Sequence, residues 1–194
     1  SPPQESIQGT QWWTSYQPVS YKLDSKLGTE AEFKNMIKQC NAVGVDIIAD
    51  VVLNQTTGAD VADGKQTGVA GTEYNGSTGD YPGFATEQYP EGITASDFHS
   101  CSKNISNYAN QQEVQECRLS SMWDFDSESE KVQDIQSDYL AALWNAGVRG
   151  FRMDAVKHIH TDSMKAIKEK FAKKIGVNAD SIYWIQEVIG NSSE

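Results

Sequence analysis

Residues 41–50 read NAVGVDIIAD and residues 145–154 read NAGVRGFRMD, and this repeated joint decides the fold. In each copy a Gly stops a helical pattern, and a short apolar run follows that closes on Asp50 or Asp154. Upstream of the first joint, Thr29 and Glu32 have capping-box spacing, and Phe33, Met36, Ile37, Cys40 and Val43 keep a helical period. Upstream of the second, Ser127 and Glu130 have the same spacing, followed by Val132, Ile135, Tyr139 and Leu143. The runs at 45–53 and 148–153 are then buried strands. A third unit follows, with a helix near 162–174 and a strand at 182–188. Helices alternating with buried strands imply parallel β/α architecture.

Working outward, residues 55–126 break the rhythm. They are dense in Gly, Thr, Asn, Asp and Tyr, with turn signals at Asn75-Gly76 and Tyr81-Pro82-Gly83. A loop of that length inside a compact domain is improbable, so a small irregular subdomain inserted after the first strand is expected. The first 27 residues have no clear period and read as a long loop.

The chain has 194 residues and a formal net charge of −11. That charge argues against nucleic acid or an anionic membrane as partner and suits a neutral ligand. No run is apolar and long enough to span a bilayer. The length is short for a closed eight-stranded β/α barrel, which needs about 250 residues. The opening SPPQESIQ reads as the inside of a domain. Of the three cysteines, Cys101 and Cys117 could close a small disulfide, whereas Cys40, on its helical stripe, is expected to be a buried apolar side chain. Asn75, Asn104 and Asn191 head glycosylation-type triplets, and His99 and His160 have no assigned partner.

In parallel β/α folds, functional side chains gather at the carboxyl ends of strands. Those ends carry Asp50 and Asn54, then Arg152 and Asp154, then Glu187. Two carboxyls facing one cleft, one ionised and one protonated, can cleave a glycosidic bond. Arg152 lies two positions before Asp154, on the same side of the strand, where its charge would hold that carboxylate ionised. Ordinary polar residues capping strands would satisfy the same pattern. The loop QWWTSYQP adds weight, because Trp12, Trp13 and Tyr16 supply flat aromatic faces on which sugar rings stack.

These residues resemble the α-amylase family, glycoside hydrolase family 13, in its secreted animal and actinobacterial branch. ADVVLNQ resembles the first family signature, GFRMDAVKH the second and WIQEVIG the third. The resemblance also includes SPPQESIQGTQWWTSYQPVSYK and covers essentially the whole chain. It implies part of a (β/α)8 TIM barrel, about strands 3 to 5, with an inserted irregular subdomain after strand 3. The barrel would comprise 1–54 and 127–194, and the inserted domain 55–126. The chain then reads as an internal fragment of its parent, expected to be unstable and inactive alone.

By the same resemblance, Asp154 matches the catalytic nucleophile and Glu187 the general acid/base. Trp12, Trp13, Tyr16, Gln17, Gln55, Arg152, Lys157 and His158 match substrate-binding positions. A structural calcium ion would take the side chains of Asn54 and Asp124 with the backbone carbonyls of Gln115 and His158. Cys101 and Cys117 would form a disulfide, and the usual partner of Cys40 lies upstream of residue 1. Gln55 stands where the family usually has histidine, which implies weaker transition-state binding. The implied activity is endohydrolysis of α-1,4-glucosidic bonds in starch, glycogen and related glucans, by a secreted, extracellular and monomeric parent. Chloride dependence is left open. A non-catalytic glucan-binding or interaction protein on the same scaffold is the rival reading.

Overall fold

The computed structural model describes residues 1–190, so the triplet at Asn191 lies outside the described residues. Helix α1, Glu30–Ala42, begins at the expected capping box: Thr29 accepts from the Glu32 backbone, and Glu32 accepts from the Thr29 backbone. Strand β1, Ile48–Val51, is shorter than the apolar run that predicts it, although Val52 and Leu53 are also buried. Two short pairs follow within the 55–126 segment. Strand β2, Gln55–Gly58, pairs antiparallel with β5, Met122–Asp124, while β3, Gln66–Thr67, pairs with β4, Glu73–Tyr74. Helix α2, Gln111–Glu116, precedes β5. Then come α3, Glu130–Asn145; β6, Gly150–Met153; α4, Thr161–Ile175; and β7, Tyr183–Gln186.

Strands β1, β6 and β7 form one parallel sheet in that order, with Asp50 opposite Arg152 and Arg152 opposite Ile185. Helices α3 and α4 cross over between these strands and pack on the sheet through Leu140, Leu143, Ile167 and Phe171 against Phe151. Phe151 and Phe171 are fully buried, and truncating either to Ala would cost about 3–5 kcal/mol. The second joint needs its glycine. Gly147 has φ +109°, and a Cβ there would stand 2.7 Å from Ile37 Cγ2.

The 55–126 segment contributes most of a second apolar cluster. Tyr81, Phe84, Phe98 and Phe125 meet edge-on or stacked, with Ile93 and Val19 filling between them. A disulfide joins Cys101 to Cys117, with Cα atoms 4.9 Å apart. Glu5 ties the amino-terminal loop to this segment by accepting from the Ala70 and Thr72 backbone N–H groups.

Four expectations fail. Strands β1 and β7 are not buried on both faces, because they are the edges of the sheet: Ile48 is 46% and Tyr183 59% exposed. Ser127 does not cap α3: its hydroxyl donates to Glu128, and Ser129 sits at the cap without a side-chain bond. The chain makes one more turn there, closed by Ser129 N–H to Asp126 O, before the helix starts. Cys40 is only half-buried, because just Ile37 of its stripe is covered and Val43 is 77% exposed. His99 and His160, expected to lack assigned partners, face each other and the same carboxylate, Glu128.

Candidate active site

The carboxyl ends of β1, β6 and β7 open into a cleft of about 850 Å³. Its walls come from the amino-terminal loop on one side and from the turn before β5 on the other. Trp12, Trp13, Tyr16, Gln17, Gln55, Arg152, Asp154, Lys157, His158 and Glu187 all border it. Every residue that the resemblance assigns to catalysis or substrate binding therefore meets in one place.

Arg152 organises the floor. Its Nη1 donates to Asp50 Oδ1 at 2.8 Å and to Asp154 Oδ1 at 2.7 Å, and its Nη2 lies 2.7 Å from Glu187 Oε1. One guanidinium thus holds three carboxylates from three adjacent strand ends. The parallel register explains why: Asp50 and Arg152 are direct partners across β1 and β6. Tyr16 donates to Asp50 Oδ2 at 2.7 Å, which locks the aromatic loop to the same network. Burial and the Asp50 carboxylate both push the Tyr16 phenol upward.

Asp154 is 9% exposed, and burial pushes its carboxyl up to about 6. The hydrogen bond from Arg152 opposes that shift and the nearby charge of Glu187 adds to it, while Gln55 Nε2, at 3.4 Å from Asp154 Oδ2, also favours the ionised form. Gln55 Nε2 also donates to Tyr16 O, and Gln55 Oε1 is buried with no hydrogen-bond partner. Glu187 accepts at both oxygens, from Arg152 and from the Ala155 backbone N–H at 2.9 Å. Ala155 has φ +48°, a left-handed conformation that is strained for alanine, and it aims this N–H at Glu187.

The walls are aromatic. Trp12 is 75% exposed and stands edge-on to both Trp13 and Tyr16 at 6.0 Å between ring centroids. Opposite, Tyr108 lies 5.3 Å beneath Lys157 Nζ and edge-on to His158. Tyr108, Leu119, Ser120 and Met122 line this wall, and sequence reasoning missed them. Their signal was weak, since a single tyrosine in a polar loop has no period. Ser120 and Ser121 both have positive φ, which no motif announced.

Asn54, Gln115 and Asp124 do not border the cleft; they are buried beneath it. Gln55 pairs with Asp124 across β2 and β5, which places Asn54 beside that aspartate. His158 Nδ1 donates to Val114 O at 2.9 Å, bringing the backbone of residue 158 against α2 and Gln115. Asp124 Oδ1 and Asn54 Nδ2 are buried with no hydrogen-bond partner. Burial pushes Asp124 up to about 7, against the pull of His99. Two orphaned polar ends, a costly buried carboxylate and adjacent carbonyls form an all-oxygen donor set once the Asn54 amide presents its oxygen, and that set fits calcium.

A model described as "Alpha amylase, catalytic domain" matches residues 7–188 of the chain. An α-amylase of Streptomyces violaceus is 40% identical over all of this chain and 30% of its own length. An α-amylase of Pecten maximus is 38% identical over 86% of this chain and 32% of its own length. Among solved structures, an E249Q variant of α-amylase I from Eisenia fetida in complex with maltohexaose superposes with TM-score 0.86 at 35% identity. That match covers 100% of this chain and 40% of the other. The chain therefore spans roughly a third of the length of the curated relatives it matches.

Proposed function

The chain belongs to the α-amylase catalytic-domain family, and on that premise we propose that its protein hydrolyses internal α-1,4-glucosidic bonds of starch, glycogen and related glucans with retention. The parallel sheet of β1, β6 and β7 is part of a (β/α)8 barrel. We assign these strands as the third, fourth and fifth, with 1–54 and 127–194 in the barrel domain and 55–126 as the inserted domain. The observation that carries the proposal is the single guanidinium of Arg152 holding Asp154 and Glu187 side by side at the floor of an aromatic cleft.

In this reading Asp154 attacks the anomeric carbon, and its charge is maintained by Arg152 and Gln55. Glu187 protonates the departing glucosidic oxygen. Both Glu187 oxygens are acceptors in the structure, so either the Arg152 or the Ala155 contact must open for the proton to sit there. Glu187 then deprotonates the water that releases the sugar from Asp154. Trp12 and Trp13 offer stacking faces for glucosyl rings on one side of the cut, and Lys157 and His158 line the other. Calcium is proposed at Asn54, Gln115, Asp124 and His158. When bound it supplies positive charge for the buried Asp124 and a clamp between inserted segment and barrel. No helix among the described residues is long and apolar enough to cross a membrane, and we propose secretion.

The test is reducing-end release from starch by the full-length protein and by D154N and E187Q. The proposal expects activity in the parent and loss of at least about 10³-fold in each variant, with maltohexaose binding kept in E187Q. Glucan binding without hydrolysis in the parent would favour the non-catalytic reading. Activity surviving either change would overturn the assigned role.

A further inference from the structure

Three ligand-bearing side chains that the glucan reading leaves unused converge where the inserted segment meets the barrel. His99 follows the turn at Ala95–Asp97, Glu128 lies in the turn before α3, and His160 sits just before α4 with no side-chain capping bond. One ligand atom from each lies within 4.8 Å of the other two. His99 Nε2 is 3.0 Å from Glu128 Oε2, and His160 Nε2 is 3.0 Å from Glu128 Oε1. The second contact is close without being a hydrogen bond, since His160 Nε2 is buried and has no such partner. The first contact is a hydrogen bond in which His99 Nε2 donates to Glu128, and a metal ion at that nitrogen would take the place of the shared proton. The other ring nitrogen of His99 is held by Asp124 Oδ2 at 2.7 Å, which fixes the ring and leaves Nε2 to the cluster. Glu116 Oε1, 3.7 Å from His160 Nε2, and Asp126 Oδ1, 3.8 Å from His99 Nε2, stand at the rim.

We propose that His99, Glu128 and His160 bind a structural zinc ion, with water or the Glu116 carboxylate as fourth ligand. Ligands at zinc distances of about 2.0–2.2 Å lie roughly 3.3 Å apart in a tetrahedron. The 3.0 Å contacts fall on the two different oxygens of Glu128, and with one ligand atom of each residue within 4.8 Å of the others, side-chain adjustment closes the set on one ion. Two imidazoles with a carboxylate select a borderline transition metal, whereas calcium and magnesium prefer oxygen alone. The three ligands come from the inserted segment, the start of α3 and the start of α4, so the ion straps these parts together. Asp124 serves both metals: Oδ2 orients His99, and Oδ1 is left to the calcium set. None of the three side chains borders the glucan cleft, so the zinc site is independent of whether the protein hydrolyses starch.

The experiment is calorimetric titration of zinc chloride into the calcium-saturated full-length protein, beside H160Q and E128Q. One zinc equivalent is expected, with affinity falling ~10-fold or more in each variant. Absence of uptake, or equal uptake by both variants, would overturn the site. Cobalt(II) titration of the unaltered protein decides the matter if a variant fails to fold. Visible bands of a low-coordinate nitrogen–oxygen site, with a hyperfine-shifted His99 Nδ1–H resonance, support it. An octahedral spectrum with no shifted imidazole proton refutes it.

Discussion

Gln55 stands where the resemblance implies a histidine, and its surroundings say what the amide does there. Its amide nitrogen bonds the Tyr16 carbonyl and reaches Asp154 Oδ2, so it supports the ionised form of Asp154, the proposed nucleophile, while Arg152 holds the other oxygen. The amide donates to a carboxylate but across a long 3.4 Å, so it contributes about 0.5–1.5 kcal/mol, and 1.36 kcal/mol corresponds to one pH unit. Replacing Gln55 by Leu removes the donor, raises the Asp154 carboxyl above about 6, and moves the acid limb of kcat/KM to higher pH by up to about one unit. The pH profile on a soluble maltooligosaccharide checks this, and an unmoved acid limb would show that Gln55 does not hold the charge. Gln55→His should instead raise kcat/KM several-fold, because an imidazole can donate from the same place and also carry charge. Identical activity would sink that idea.

At the scale of elements, the sequence and the structure agree where local rules act alone. The joints at Gly44 and Gly147, the Thr29 cap and the strands were legible because helix stops, caps and apolar runs are set by near neighbours. Ser127 failed as a cap because capping spacing also occurs in the turn that precedes a helix, and nothing local separates the two. The floor of the site was legible because strand ends align side chains by register, but the Tyr108 wall was not, since it depends on how a long insertion folds back. The insertion has its own anchor in Glu113. This side chain accepts from the Ser106 backbone at 2.6 Å, from the Ser106 hydroxyl at 2.8 Å and from the Asn107 backbone at 3.1 Å, within the loop closed by the disulfide. The Ser106 backbone N–H is the main cause that lowers its carboxyl from 4.5 to about 2. A depressed carboxyl contributes stability above its unfolded value and loses it as pH falls towards the folded one. E113Q should therefore lower the melting temperature near neutrality, and the gap to the parent should close between pH 4.5 and about 2. Thermal melts across that range read the difference, and a gap that persists unchanged at the acid end would count against the charge.

Across the whole molecule, Tyr21 bridges the two apolar clusters, stacked on Tyr139 of one and edge-on to Phe84 of the other, and a polar seam lies where the inserted segment meets the barrel. Asn54, Gln115, Asp124 and His158 are all buried along it, and two of their polar ends have no hydrogen-bond partner. His99 compensates one oxygen of the buried Asp124, but the other has no partner, so a cation that completes the set adds stability to the seam. A cation present at 100 times its Kd stabilises the folded state by about 2.7 kcal/mol. For a domain of this size that corresponds to roughly 5–10 °C in Tm. Stripping calcium from the full-length protein should lower Tm by a few degrees to that amount, and added calcium should restore it. The loss should also fall first on the inserted segment, because the disulfide at Cys101–Cys117 constrains only its interior and leaves the seam free to open. Hydrogen exchange at the β2–β5 pair, where Asp124 sits opposite Gln55, reports the opening directly. Faster exchange there on chelation, with the amides of β6 unchanged, is the expected pattern. A melting curve and an exchange map that ignore the chelator would mean that the seam holds without a metal.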